Sequence, residues 1–158
     1  MRNPADRLTC DPRRDYAKFM NETIQPNVAV TATLCLSRSY DGPHGLTWKK
    51  GDPLLYEGVL AGLITRLSRE VFGRSAVAKH GKRIAAAGAI EGDGLNKNYH
   101  AHLLIRRPDH LSPAEFDTLL RDEFKRSPWL KPDLDVDQIE GRWVEYVHKG
   151  NPETFMVL

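Results

Sequence analysis

The chain has 158 residues, 41% hydrophobic and 28% charged, with a formal net charge of +2. That is one domain's length with enough apolar material for a core, and a charge that permits a nucleic-acid partner without requiring one. Two cysteines outside any CxxC spacing exclude a disulfide framework, and neither a signal-peptide core after Met1 nor a run of membrane-spanning length is present, so a cytosolic protein is expected.

Residues 1–26 are polar, carry Pro4, Pro12 and Pro26, and read as an N-terminal arm with a single helical turn around 16–20. Residues 27–37 alternate as a strand does. Val28, Val30, Ala32, Leu34 and Leu36 form one face; Ala29, Thr31, Thr33, Cys35 and Ser37 form the other, and Cys35 reads as a buried thiol. Residues 38–51, rich in Gly, Asp and Lys, read as a loop. A long helix is predicted from Asp52 as N-cap, with Pro53 in the first turn, a stripe of Leu60, Leu63, Ile64, Leu67 and Val71, and Gly73 as its stop. Gly58 and Gly62 fit either a close approach to a sheet or two tolerated surface positions.

Residues 82–91 alternate again, with Ile84, Ala86, Gly88 and Ile90 on one face and Ala85, Ala87, Ala89 and Glu91 on the other. The loop 92–98 has hairpin chemistry and leads into His100-Ala101-His102-Leu103-Leu104-Ile105. Ser112-Pro113-Ala114-Glu115 is a capping box opening a helix with Phe116, Leu119, Leu120 and Phe124 inward. A short strand over 134–139, a short helix over 141–149 and a last strand over 154–158 complete the order. A central hairpin with helices before and after it predicts an α+β domain over 27–158. Its architecture is a ferredoxin-like or RRM-like antiparallel sheet of about five strands, helices on one face and the other face open.

Side chains two apart on a strand point the same way, so His100 and His102 share a face while Ala101 joins the apolar one. Strand parity across the hairpin adds Glu91 to the histidine face, beside the small Ala85, Ala87 and Ala89. Two imidazoles and one carboxylate with coordination positions left open suit a divalent cation such as Mn²⁺, Mg²⁺ or Zn²⁺. On the 141–149 helix, Trp143 and Val147 pack inward, while Arg142, Tyr146 and Lys149 share the opposite face. A tyrosine with an ammonium one turn on is a nucleophile with a cationic helper; equally, it is a surface tyrosine near a lysine that complements the helix dipole.

The order Glu91, His100-Ala101-His102, then Tyr146-Val147-His148-Lys149 resembles the HUH endonucleases of the rolling-circle replication initiator type. Thr31-Ala32-Thr33-Leu34 lies where that family's first motif would fall, and the resemblance covers roughly residues 27–158. It implies a ferredoxin-like sheet and a divalent metal, Mn²⁺ or Mg²⁺, held by Glu91, His100 and His102. It further implies single-stranded DNA or an origin hairpin as partner, with Tyr146 attacking the scissile phosphate to leave a covalent 5′-phosphotyrosine and Lys149 assisting. Arg38, Lys49, Lys50, Lys97, Arg106, Arg107 and Arg142 are then candidates for DNA contacts. No Gly-x-x-x-x-Gly-Lys-Ser/Thr loop occurs, so unwinding is expected from a helicase supplied in cis or by the host, and the strand-like ending leans toward a trimmed chain.

Other readings fit less well. A histidine-triad hydrolase needs a histidine where Leu104 stands, and a two-histidine phosphodiesterase needs a second His-x-Thr/Ser motif. A single-strand transposase or relaxase of the HUH class shares the chemistry, but the transposases commonly place Gln where Lys149 stands. A non-catalytic RRM-like module would stack bases on sheet aromatics, and the open face offers mostly Ala, Thr and His.

Overall fold

The computed structural model describes residues 12–92, 98–139 and 155–158. In chain order the elements are α1 (Pro12–Phe19), a π-helical turn (Met20–Ile24), β1 (Val28–Leu34), β2 (Ser37–Gly42), β3 (Gly45–Lys50), α2 (Pro53–Phe72) and α3 (Arg74–His80). They continue with β4 (Ala86–Glu91), β5 (His100–Ile105), α4 (Pro113–Lys125), β6 (Leu130–Gln138) and β7 (Phe155–Val157). Five strands form one sheet in the order β6-β1-β5-β4-β7, and every pairing is antiparallel. The run β1-α2-β4-β5-α4-β6 is the split βαββαβ pattern expected of a ferredoxin-like domain.

Helices α2 and α4 form where their caps and stripes predict, while α3 (Arg74–His80) carries no such signal. The Asp52 carboxylate accepts from the Leu55 N–H at 2.8 Å and Pro53 opens α2; Gly73, at φ 85°, closes it with its N–H on the Arg69 carbonyl. Ser112 and Glu115 make the reciprocal capping box of α4. Tyr56, Leu60, Leu63, Ile64 and Leu67 of α2, with Phe116, Leu120 and Phe124 of α4, pack on the inward set of the sheet. That set is Val28, Val30, Ala32, Leu34, Ala86, Ile90, Ala101, Leu103 and Ile105, the parity read from the sequence. Each fully buried aliphatic side chain contributes about 1.5–3 kcal/mol, so this layer holds the sheet's register. Two buried polar groups tie the layers. Ser68 Oγ donates to the Ile64 carbonyl and accepts from the Ile84 N–H, and buried Glu123 accepts from Arg66 at 2.9 Å and Arg126 at 2.5 Å.

Several expectations are corrected. Residues 38–51 are not a loop: β2 and β3 pair as a separate two-stranded ribbon turning between Gly42 and Gly45, the latter at φ 104°. With no residue buried, the ribbon lacks the apolar alternation that announces a half-buried strand. The N-terminal segment is more than an arm. α1 and the π-helical turn lie against the sheet face expected to be open, burying Met20 and Ile24 on Ala29, Ala87, Ala89 and Leu104. Tyr16 stacks on Phe155 of β7, ring centroids 4.3 Å apart. Four residues, Tyr16, Ala17, Met20 and Ile24, make this contact, while the apolar Phe19 between them stays exposed, so the segment shows no clean apolar stripe. β1 ends at Leu34, leaving Leu36 outside the inward set and exposed, and Cys35 is half-buried. β4 begins at Ala86 rather than Lys82, and β6 begins at Leu130, with Pro132 tolerated because β6 is an edge strand. Added Cβ atoms at Gly58 would meet open space, so that glycine marks a tolerated surface position.

Candidate metal and nucleic-acid site

Strand pairing sorts the outward side chains into three rows across the sheet. One row is Asp137, Ala29, Leu104, Ala87 and Val157, and its centre lies under Met20 and Ile24. The next is Asp135, Thr31, His102, Ala89 and Phe155. The last holds Thr33, His100 and Glu91, with Asp133 on the same face of β6 by its two-residue spacing from Asp135. α1 thus covers one end of the face, and the predicted residues stand toward the other.

The structure brings Glu91 and His102 together, His102 Nε2 lying 3.4 Å from Glu91 Oε2. The pair is diagonal, since Glu91 is in register with His100. Thr31 Oγ1 lies 3.2 Å from His102 Nδ1, which sets the ring so that Nε2 faces the carboxylate. In the tautomer with the proton on Nδ1, Nε2 turns a lone pair toward a carboxylate oxygen, and a cation suits the space between two such donors. His100 lines a different space, an open depression of about 530 Å³ shared with Thr31, Thr33, Arg121, Asp133 and Asp135. Among the described residues, no three His, Cys, Asp or Glu side chains converge closely enough to hold an ion.

Thr31, Asp133 and Asp135 extend the site beyond the residues singled out in the sequence. Thr31 was legible only as part of a weak motif. The aspartates reach the histidines through the β1–β6 pairing, which joins residues about a hundred positions apart and leaves no local signal. Their effect is electrostatic: Asp133, Asp135 and Asp137 make the β6 rim of this face acidic.

The predicted DNA contacts scatter. Arg38 is at the root of the ribbon, its guanidinium donating to the Pro128 carbonyl. Arg106 lies past the far end of β5, about 13 Å along the strand from His102, and binds Asp109 at 2.9 Å. Lys97, Arg142, Tyr146 and Lys149, with the 141–149 helix, lie outside the described residues. Tyr16, the tyrosine that α1 sets on this face, is held neutral, burial raising its phenol to about 12. Among the described residues, no helix is long and apolar enough to cross a membrane.

No protein-family profile matches this chain, and neither a curated protein nor a solved structure matches it.

Proposed function

We propose that this chain is a metal-dependent endonuclease that nicks and rejoins single-stranded DNA at a replication origin, with Tyr146 as its nucleophile. The observation that carries the reading is the 3.4 Å approach of His102 Nε2 to Glu91 Oε2, on the face where His100 stands in register with Glu91. A Mn²⁺ or Mg²⁺ ion held by Glu91, His100 and His102 would supply Lewis-acid polarisation of a phosphodiester. Thr31 orients the His102 ring. His100, in register with Glu91, is the residue that would complete the ligand set. Tyr146 oxygen then bonds to phosphorus as the bond from phosphorus to the 3′-oxygen breaks. The phenolic proton passes to solvent and the leaving 3′-oxygen takes one up, giving a 5′-phosphotyrosine and a 3′-hydroxyl. Lys149 stabilises the charge that develops, and the reverse step rejoins the strand.

The test is incubation with single-stranded oligonucleotides tiling the DNA around the coding sequence, with and without Mn²⁺, read on denaturing gels. A Mn²⁺-dependent covalent adduct is expected from wild type and none from Tyr146→Phe; His100→Ala with His102→Ala should abolish the metal dependence along with the adduct. No wild-type adduct on any oligonucleotide, or an undiminished one from Tyr146→Phe, overturns the assignment.

A further inference from the structure

The ribbon β2–β3, paired over six residues and roughly 20 Å long, is separate from the main sheet, with all six residues of β3 exposed. It carries large side chains in solvent: Trp48 is 67% exposed, Leu46 63% and Tyr40 51%. A free two-stranded ribbon is marginally stable, so this one depends on its root. There the Cys35 N–H donates to the Trp129 carbonyl at 2.9 Å, the Gly51 N–H to the Leu36 carbonyl at 2.8 Å, and the Tyr56 hydroxyl to the Cys35 carbonyl at 2.8 Å. The root is also at the site's end of the sheet, since β1 ends one residue beyond Thr33, the partner of His100.

Pairing sorts the ribbon's side chains. Trp48 and Lys50 share one face; Arg38, directly opposite Lys49, shares the other with Tyr40. Two cations set opposite each other weaken a ribbon unless an anion lies across them. Among the described residues, neither Lys49 nor Lys50 makes an ion pair. The β6 edge of this face is acidic, so a strand whose scissile phosphate lies at the histidines is steered away from β6, and the ribbon's cations attract its flank. We propose that the ribbon's Trp48 face holds the single strand of DNA that flanks the scissile phosphate, a base stacking on Trp48 and a phosphate pairing with Lys50, which shares that face. An exposed indole accepts any base, and an ammonium on the same face follows the backbone, which is the chemistry of sequence-tolerant strand binding. The inference rests on the nicking reading for its substrate, and it is tested apart from it.

The full chain is titrated with fluorescein-labelled oligo-dT, which offers no origin to cleave, over a series of salt concentrations. Wild type is expected to bind with quenching of tryptophan fluorescence, and Trp48→Ala to weaken binding about tenfold or more. Trp48→Phe should recover most of that loss, separating stacking from damage to the fold. Lys50→Ala should reduce the salt slope by about 0.7, one phosphate contact. No wild-type binding, or unchanged affinity and slope in these variants, overturns the proposal. So does loss of self-association in Trp48→Ala with DNA binding intact, which would make the ribbon a protein-docking surface. Failure of the nicking reading shows separately, as absence of the wild-type adduct on origin DNA.

Discussion

At the scale of single residues, Thr31 matters because it touches the ring nitrogen of His102 that faces away from Glu91. A hydroxyl beside Nδ1 holds the ring at the angle that aims Nε2 at the carboxylate; without it the imidazole can flip. Thr31→Val keeps the shape and removes the hydroxyl. It should weaken Mn²⁺ binding, followed by electron paramagnetic resonance, by about 10–100-fold, while Thr31→Ser restores it. Unchanged Mn²⁺ affinity in the valine variant would assign Thr31 a packing role only. The histidines and Glu91 were legible because parity along a strand is a geometric necessity. Thr31 as their support was not, since its contact with His102 spans 71 positions of sequence.

At the scale of elements, β4 and β5 approach so closely that β4 tolerates no side chain at Gly88. A Cβ there would lie 2.3 Å from the His102 carbonyl oxygen and 2.7 Å from Leu103 Cδ2. The contact with backbone rules out relief by a rotamer change, so Gly88→Ala must push β5 away at the residue that carries the imidazole. We expect a loss of about 1–3 kcal/mol in urea unfolding, together with weakened Mn²⁺ binding. Wild-type stability in Gly88→Ala would mean that the strands can separate without cost. Element positions were legible where local chemistry marks them, as with Asp52-Pro53 and Gly73 of α2 and the capping box of α4. They were illegible for β2 and β3, whose strands bury nothing and pair only with each other.

At the scale of the whole molecule, the sheet has two apolar layers of unequal size. The helices α2 and α4 cover one face completely, while α1 with its π-helical turn covers the other at one end only. Among the described residues, this second layer stops short of the Glu91–His102 pair, and so bounds the area a ligand can reach from that side. Met20 is fully buried at its centre. Met20→Ala should cost about 2–5 kcal/mol by urea denaturation, because the atoms removed leave a cavity between helix and sheet. A negligible loss would show the segment to be loosely attached in solution.

By itself, the sequence determined what local geometry dictates: α2 and α4 with their caps, the alternation of β1, β4 and β5, and the shared face of Glu91, His100 and His102. Periodicity of two along a strand and 3.6 along a helix carries that information within a few residues. Only the tertiary structure decided how the faces are filled. The order β6-β1-β5-β4-β7 sets an acidic strand one strand away from the histidines, and α1 with its π-helical turn occupies part of the face that alternation left open. His102 meets Glu91 while His100 turns to the depression beside β6. These outcomes depend on which segments distant in the chain find each other, and few apolar residues suffice to seat α1 once the larger core has set the sheet.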